Sequence, residues 1–495
     1  MLFTSFLTLL VFSTFPSPIS DTKMNKTMYH SMLLNRLGMM VLSFVLMLFM
    51  NSFNMMSLMP GFTMFNSWFS FTAYNLPLMM LLMLLMMALL VYNTNNTSKV
   101  KMMSDDNMMY SENMSKESSL LSPYLMLLMF ANTVGLLLFP LVNDLLALYM
   151  MVELQSYSLY LLTGLHNRSY NASRASLLYF LMGGVASAMM LLASYFIYSL
   201  TGSTNLSDMN MFYSLSYDLN NNLGNYFDML LMALFFKMGL APLHRWSMAV
   251  YNYAPTYMTA YMSMVAKLSM SSWMFTNAMF FNHYMFMMFF YLSLFMGSYK
   301  PLYQINMKTM LAYSGLLNFG YMLLSMMTFD MSFYMYMMQY TLTHVMLFLS
   351  MLAASQYVNP VSKWSPLMYI HQLKLPNLTL AVCMMLALFS LMGMPPTPGF
   401  YGKLYMLMSA LKDNYMLESL ILMTCSVMAT YYYANMIKVL MTSKTQKDMI
   451  SNSEQTVGGY MNLSLAYIIS ITTLLLISFF MFLPYISEGL YLITM

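Results

Sequence analysis

Residues 235–268 read FFKMGLAPLHRWSMAVYNYAPTYMTAYMSMVAKL, and they place Lys237 and Lys267 in a largely apolar stretch. Gly239 and Pro242 follow Lys237 and predict a break in the helix, because proline lacks the amide donor and clashes with the carbonyl four residues back. Backbone groups freed in this way survive at membrane depth only inside protein or along a hydrated cavity. Since interrupted helices hold the ion sites of many transporters, this stretch predicts an ion or proton site around Lys237.

The composition excludes a water-soluble protein. The chain has 495 residues, of which 60% are hydrophobic and 7% are charged, and its mean hydropathy is +0.62. A soluble domain carries about 25% charged residues. The net charge of +4 says little about nucleic acid, because the lysines and arginines are dispersed through loops rather than clustered, and no nucleic-acid partner is expected. Cys383 and Cys425 lie in apolar segments and are predicted to be buried thiols rather than a disulfide or a metal site.

The apolar segments predict the fold class, an all-α integral membrane protein. A bilayer core of about 30 Å needs about 20 apolar residues per helix, and the chain offers about fourteen such segments. Short loops join most of them, but residues 93–121 form a long polar stretch that matches no recognised motif. The predicted spans cover residues 1–15, 37–59, 75–92, 122–140, 143–164, 175–200, two segments around Lys237 and Lys267, 281–298, 307–327, 333–355, 378–411, 416–438 and 462–485.

The charges of the loops test this layout independently, because lysine and arginine favour one side of a membrane. Connections from an odd-numbered to an even-numbered span hold nearly all the loop lysines and arginines, including Lys308, whereas the opposite side holds Lys412. This asymmetry predicts that residues 94–121 and 439–460 lie on the positive side of the membrane, and that both chain ends lie on the other.

A second predicted break, GMPPTPGFYGK at residues 393–403, also carries a lysine, Lys403. Spans four to eight are therefore predicted to recur as spans nine to thirteen, with Lys237 matched to Lys403. Because five is an odd number of spans, the second copy enters from the opposite face, as inverted repeats do. The identity between the copies is slight, so coincidence is the alternative. The predicted domains are an N-terminal three-helix segment with the polar loop at 1–121, two antiporter-like repeats at 122–275 and 276–440, and a loop with the last span at 441–495.

Four charged side chains fall inside predicted spans: Glu153, in LLALYMMVELQSYSLYLL, and Lys237, Lys267 and Lys403. Each costs about 2.5 to 3.5 kcal/mol at mid-bilayer, so function or mutual pairing must offset the cost. Burial favours the neutral form and an opposite charge the ionised form, so a buried pair can change protonation when its separation or hydration changes. The alternative is a structural salt bridge that carries no proton. His344, in span eleven, either relays a proton between Lys267 and Lys403 or hydrogen-bonds a neighbouring hydroxyl.

These segments resemble a known family. FFKMGLAPLHRW, VYNYAPTYMTAYMSMVAK, VELQSYSLYLL, LAYSGLLNFGYML and GMPPTPGFYGK are similar to motifs of the antiporter-like membrane subunits of respiratory complex I, the NADH:ubiquinone oxidoreductase. The chain carries a lysine at 403, where sibling subunits typically carry a glutamate. In this respect it resembles the subunit 2 branch, called subunit N in bacteria. The resemblance implies fourteen helices, two inverted five-helix repeats and a proton path through Glu153, Lys237, Lys267 and Lys403. The place of His344 in that path rests on its position alone.

The resemblance implies a subunit that does no redox chemistry itself. The chain has no cysteine quartet for an iron–sulfur cluster and no GxGxxG after a strand, so NADH, FMN, iron–sulfur clusters and ubiquinone are expected in partner subunits. The expected partners are other complex I subunits, including neighbouring antiporter-like subunits, and membrane lipids. The 72 methionines beside few isoleucines indicate a mitochondrial genetic code, unless the composition has drifted, and predict the mitochondrial inner membrane.

Two other functions fit parts of the pattern. A free-standing cation/proton antiporter of the same fold would carry the same buried lysines. A haem-bearing oxidase subunit needs paired intramembrane histidines, and only His344 falls clearly inside a predicted span. Migration in a megadalton assembly with flavin-containing NADH dehydrogenase activity would separate a complex I subunit from the antiporter.

Overall fold

The computed structural model describes residues 2–14, 23–52, 62–72, 75–95, 124–165, 170–215, 220–354, 369–373, 375, 377–442 and 463–494. The predicted polar loop from residue 96 onward, and most of the segment at 439–460, lie outside these residues. Within them, eight helices are long and apolar enough to cross a membrane, and three shorter helices are also apolar. The prediction of a mostly helical membrane protein is confirmed.

The described helices follow the order of the predicted spans. They are α1 (Leu2–Thr14), α2 (Lys23–Ser52), α3 (Asn75–Asn95), α4 (Tyr124–Leu138), α5 (Leu145–Gly164), α6 (Tyr170–Thr201), α7 (Leu206–Leu215), α8 (Asn220–Met238), α9 (Arg245–Tyr253), α10 (Thr256–Tyr261), α11 (Lys267–Thr276), α12 (His283–Tyr299), α13 (Met307–Met327), α14 (Ser332–Ala354), α15 (Leu378–Met392), α16 (Pro398–Lys412), α17 (Met416–Met441) and α18 (Leu463–Thr494).

The chain forms two compact units. The first unit comprises Met1–Met238 and Val265–Asn282, and the second comprises Gly239–Met264 and His283–Met495. In the first, α5 packs against α4 and α6, and α6 packs against α8. The carboxylate of Asp144 caps the start of α5, since its Oδ1 accepts from the Leu146 N–H across 2.8 Å. This cap fixes where α5 begins, and therefore at which depth its polar residues lie.

A short hairpin in the first unit corrects the all-α prediction. Strands β1 (Phe62–Met64) and β2 (Phe69–Phe71) pair antiparallel, and residues 65–67 between them have positive φ. Asn143, just before α5, donates through Nδ2 to the Ser67 carbonyl across 3.3 Å. Strands of three residues give too short a period-two pattern to be recognised in a sequence, and this turn is held by a residue far along the chain.

The second unit is built around α13 and α14. In α13, 19 of the 21 residues are buried, and in α14, 21 of the 23 are. Helix α12 packs along α13, and α14 contacts α15, α16 and α18. Because both central helices are surrounded by protein, their polar side chains are shielded from lipid and must find partners inside the unit.

Both predicted breaks are present. Residues 239–244 separate α8 from α9, and residues 393–397 separate α15 from α16. Each break opens with a left-handed glycine, Gly239 at φ +69° and Gly393 at φ +86°. A Cβ on Gly239 would also lie 2.6 Å from the Cβ of Ser247, so no other residue fits there. Each break leaves helix-end carbonyls without a partner in their own helix.

The segment after the first break is more divided than predicted. The sequence analysis placed one span there, whereas the structure has α9, α10 and α11. Pro255 separates α9 from α10, since it cannot donate to the helix before it. A π-helical turn at Met262–Ala266 then precedes α11 and its first residue, Lys267.

Candidate functional site

The first unit brings Glu153 and Lys237 together in a buried ion pair. Lys237 lies in the last turn of α8, where the unpaired carbonyls of a helix end favour a cation. Its Nζ donates to Glu153 Oε1 of α5 across 2.9 Å, and the two side chains are 4% and 10% exposed. Ser156, on the same face of α5, donates to Glu153 Oε2 across 3.4 Å. The arrangement can hold a proton or release it, depending on how closely the two charges approach.

Gln155 is the second buried polar residue of the ELQS run. Its side chain contacts α4 and α11, whereas that of Glu153 contacts Lys237 of α8. The Gln155 Nε2 donates to the Gly135 carbonyl of α4 across 2.9 Å. The backbone carbonyl of Gln155 accepts from Asn132 Nδ2 across 3.0 Å. Its Oε1 accepts from the Ser269 hydroxyl of α11 across 3.5 Å. One helical turn of α5 therefore supplies the carboxylate for Lys237 and a polar link to the helix that begins at Lys267.

Lys267 is buried in the same unit. It begins α11 immediately after the π-helical turn, a feature that is frequent at functional sites because it exposes backbone groups. Ser269 and Ser271 follow it on α11 and are fully buried. The first turns of this helix therefore bury polar side chains next to the lysine.

Lys403 occupies the second break, in the second unit. It lies on the second turn of α16, and its Nζ donates to the carbonyls of Leu391 and Met392, each across 3.0 Å. These are two of the carbonyls left without helical partners at the end of α15. The amine also lies 5.7 Å from the ring centre of Tyr321, within the range of a cation–π contact.

His344 is buried in α14 of the second unit. Its Nδ1 lies 3.0 Å from the Tyr340 carbonyl, one turn earlier. Because a carbonyl oxygen only accepts, Nδ1 must carry the proton, which leaves Nε2 as the atom that can gain or lose one. The ring packs on Tyr340 with 4.0 Å between centroids. The geometry is compatible with either role expected for this histidine.

The two lysines that the predicted repeat matches differ in their position relative to the breaks. Lys237 ends the helix before its break, whereas Lys403 belongs to the helix after its own. The two lysines therefore lie on different sides of their breaks, and their match within an inverted repeat stays a prediction. Sequence reasoning matched them because each lies near a glycine and prolines, and it could not tell on which side of the break a side chain would find its partners.

Lys308 is a buried lysine that the sequence analysis wrongly assigned to a loop. It lies in the first turn of α13 and donates to the Ala254 carbonyl across 2.6 Å. Ala254 precedes Pro255, at the division between α9 and α10, so the amine satisfies a carbonyl that helical bonding does not. Its partner lies 54 residues away, so no local pattern predicts this contact.

Asp228 is a second buried charge that sequence reasoning missed. Its carboxylate accepts from the backbone N–H of Asn282 across 3.0 Å and from Asn282 Nδ2 across 2.6 Å. The ring of Phe227 stacks on Phe280, with centroids 4.7 Å apart. These contacts fasten α8, which carries Lys237, to the segment that follows α11. The signal that was available is an acid directly before the apolar run MLLMALFF.

Cys383 and Cys425 are both free thiols; Cys425 is buried as predicted, whereas Cys383 is partly exposed. The residues that the structure describes contain no cluster of three or more histidine, cysteine, aspartate or glutamate side chains that could hold a metal ion. The candidate site therefore consists of amines, one paired carboxylate, one imidazole and backbone carbonyls.

Comparison with known proteins places this site in a family. The transmembrane family described as NADH:quinone oxidoreductase/Mrp antiporter matches residues 142–430, which is more than half of the chain. The chain belongs to this family. All five sequence-predicted site residues lie inside the matched range.

Members of the NADH:quinone oxidoreductase/Mrp antiporter family include close relatives of the chain. A Debaryomyces hansenii protein named NADH-ubiquinone oxidoreductase chain 2 is 59% identical over 496 residues, which cover 100% of both chains. A Candida albicans protein of the same name is 45% identical over 371 residues, which cover 75% of this chain and 76% of the relative.

A solved structure shares the fold. A chain of respiratory complex I from Thermus thermophilus, determined with bound aureothin, superposes with a TM-score of 0.71 and 20% identity. The superposition covers 96% of this chain and 97% of that chain. The antiporter-like membrane fold is therefore common to both, and the described helices occur in a known membrane architecture.

Removal of one member of the ion pair should destabilise this family member more than removal of both. Lys237→Met leaves the carboxylate of Glu153 buried and unpaired, which costs about 3–5 kcal/mol. Glu153→Gln/Lys237→Met removes both charges, and neutral replacements of a buried pair are often tolerated. We expect the single variant to accumulate poorly in the membrane and to melt earlier after detergent extraction, and the double variant to recover towards wild type. A double variant no more stable than the single would contradict this.

Proposed function

We propose that this chain is the antiporter-like membrane subunit 2 of a proton-pumping NADH:ubiquinone oxidoreductase, and that its buried glutamate and lysines carry the protons. The supporting observation is the buried ion pair of Glu153 and Lys237 in a chain that is 59% identical, over its full length, to a protein named NADH-ubiquinone oxidoreductase chain 2. A stand-alone cation/proton antiporter is the alternative, since Mrp antiporters belong to the same family. The full-length identity favours the complex I subunit.

In the first unit, we assign the control of protonation to Glu153. A nearby carboxylate stabilises the ammonium form of Lys237, and an increase in their separation favours loss of the proton. Lys267 is the next carrier along the chain, on a helix linked to the ELQS run through Ser269 and Gln155. Protons would thus pass from the pair to Lys267 when redox chemistry in partner subunits changes the geometry of the pair.

In the second unit, we assign the terminal exchange to Lys403, with His344 as a relay. An ammonium has three N–H donors and a neutral amine has two, and Lys403 uses two donors on the Leu391 and Met392 carbonyls. The side chain can therefore lose a proton without losing its hydrogen bonds. His344 would take up and pass on protons at Nε2.

We also propose that the chain has the detailed helix arrangement that the family resemblance implies. It has fourteen spans and two inverted five-helix repeats, each with one broken helix. The presence of one break in α8–α9 and one in α15–α16 supports this arrangement. The proposed divisions are 1–121, 122–275, 276–440 and 441–495.

The proposed setting is the mitochondrial inner membrane. Other complex I subunits, including neighbouring antiporter-like subunits, are the partners, together with membrane lipids. NADH, FMN, iron–sulfur clusters and ubiquinone belong to those partners, and this chain supplies only proton carriers. The dispersed basic residues of its loops give no reason to expect nucleic acid.

Native electrophoresis of detergent-extracted membranes tests membership of the complex. An antibody to this chain should detect it in a megadalton band that also reduces a dye with NADH, and deletion of the chain should remove coupled quinone reduction. A chain that migrates alone, and retains cation/proton exchange in vesicles without the other subunits, would identify the antiporter instead.

Substitutions of Lys403 test the proton path. Lys403→Arg should preserve assembly, because the guanidinium can still donate to the two carbonyls, but it should suppress proton translocation because arginine stays charged. Lys403→Glu, the residue typical of sibling subunits, should retain part of the translocation. Lys412→Arg, an exposed position on the same helix, is the matched control and should leave the ratio of protons to electrons unchanged. A wild-type ratio in assembled Lys403→Ala would remove Lys403 from the path.

A further inference from the structure

Three helices of the second unit bury polar side chains that form no hydrogen bond of good geometry with the described residues, although serine hydroxyls lie near those of Tyr321 and Tyr433. The groups are Asn318 Nδ2 and the Tyr321 hydroxyl on α13, and the Tyr432 and Tyr433 hydroxyls on α17. On α14, Gln339 Oε1 is also buried without a hydrogen bond of good geometry. Nearly all buried polar groups in native proteins are paired, either with protein or with ordered water. Five such groups in one unit therefore require an explanation.

These groups lie close together. Tyr336 of α14 donates to Asn318 Oδ1 across 3.0 Å, and the rings of Tyr336 and Tyr321 have centroids 5.4 Å apart. The ring centroids of Tyr432 and Tyr433 are 4.5 Å apart, and the Tyr433 hydroxyl lies near the side chains of Ser314 and Asn318. We call these five residues, Asn318, Tyr321, Tyr336, Tyr432 and Tyr433, the tyrosine cluster.

The tyrosine cluster offers the chemistry that internal water needs. A buried water makes about three hydrogen bonds and occupies sites where two to four polar groups converge. The amide of Asn318 presents donors, and each phenol can donate or accept, so water can satisfy both kinds of group at once. Although the hydroxyls of Tyr432 and Tyr433 face each other, no hydrogen bond of good geometry joins them. Water between the groups would satisfy what direct contacts do not.

The cluster borders the amine of Lys403. Lys403 Nζ lies 5.7 Å from the centre of the Tyr321 ring. On the same helix, a Cβ at Gly402 would lie 3.0 Å from Gln339 Oε1, so another of the unpaired groups also lies beside α16. The unpaired groups thus extend from the side of Lys403 to α17.

We propose that the tyrosine cluster is a binding site for internal water, and that this water forms a side branch between Lys403 and α17. In the branch, an N–H bond of the Lys403 ammonium breaks as an O–H bond forms on water, leaving a neutral amine. Each phenol that participates accepts one proton as it releases its own, so no tyrosine is oxidised or left ionised, and the excess proton ends on water at the α17 end of the branch. The branch rests on the proposed role of Lys403, whereas the water site does not.

Adjacent tyrosines on α17 supply variants and a matched control. Tyr432 and Tyr433 are 3% and 1% exposed, whereas Tyr431 is 68% exposed. Tyr432→Phe/Tyr433→Phe removes two hydroxyls and keeps the rings, so packing should be retained. In the intact complex we expect a severalfold fall in coupled proton translocation at normal assembly, and no change for Tyr431→Phe. Wild-type translocation in the assembled double variant would overturn the branch.

Direct observation tests the water site separately. A cryo-electron microscopy map of the intact complex, at a resolution that shows water, should contain solvent density within hydrogen-bond distance of Asn318 and at least two phenol oxygens of the cluster. Direct hydrogen bonds among these groups, with no density between them, would overturn the site. A wild-type proton ratio in Lys403→Ala would contradict the proposed role of Lys403 and the branch, but solvent density in the cluster would still support the water site.

Discussion

The ion pair between Lys237 and Glu153 is the constraint on which the first unit depends. Moving two charges out of water costs several kcal/mol per ion, which the pair recovers only with good geometry and further hydrogen bonds. Helices α5 and α8 must therefore present the two side chains at the same depth. The cap at Asp144 sets the start of α5, the break at Gly239 sets the end of α8, and Ser156 adds a hydrogen bond to the carboxylate.

Lysines inside this protein repeatedly lie at the ends of interrupted helices. Lys403 donates to two carbonyls at the end of α15, and Lys308 donates to the carbonyl of Ala254 next to Pro255. Lys237 lies in the last turn of α8, where the helix end favours a cation. A carbonyl without a helical partner needs a hydrogen-bond donor, and a buried amine needs acceptors, so a hydrogen bond between them satisfies both groups. Because an amine keeps two donors after it loses a proton, these sites can hold a lysine in both protonation states.

Much of the site could be predicted from local sequence. Charges inside apolar runs identified Glu153, Lys237 and Lys267, and the Gly and Pro residues beside Lys403 identified the second break. The missed features all depend on distant partners. Lys308 donates a hydrogen bond to the Ala254 carbonyl, which lies 54 residues away in the sequence. Asp228 accepts hydrogen bonds from Asn282, which also lies 54 residues away. The side of a break on which a lysine lies, and the hairpin pinned by Asn143, likewise follow from tertiary contacts that no local pattern contains.

The central claim is that the buried pair carries protons rather than only stabilising the fold. The double variant Glu153→Gln/Lys237→Met separates the proton-carrying role from the structural role, because it removes both charges without leaving one buried and unpaired. The decisive measurement is the number of protons translocated per electron by the assembled complex that carries this double variant, reconstituted in sealed vesicles. The account predicts a ratio below that of the wild type at comparable assembly. A wild-type ratio would show that the pair is structural and that protons take another route.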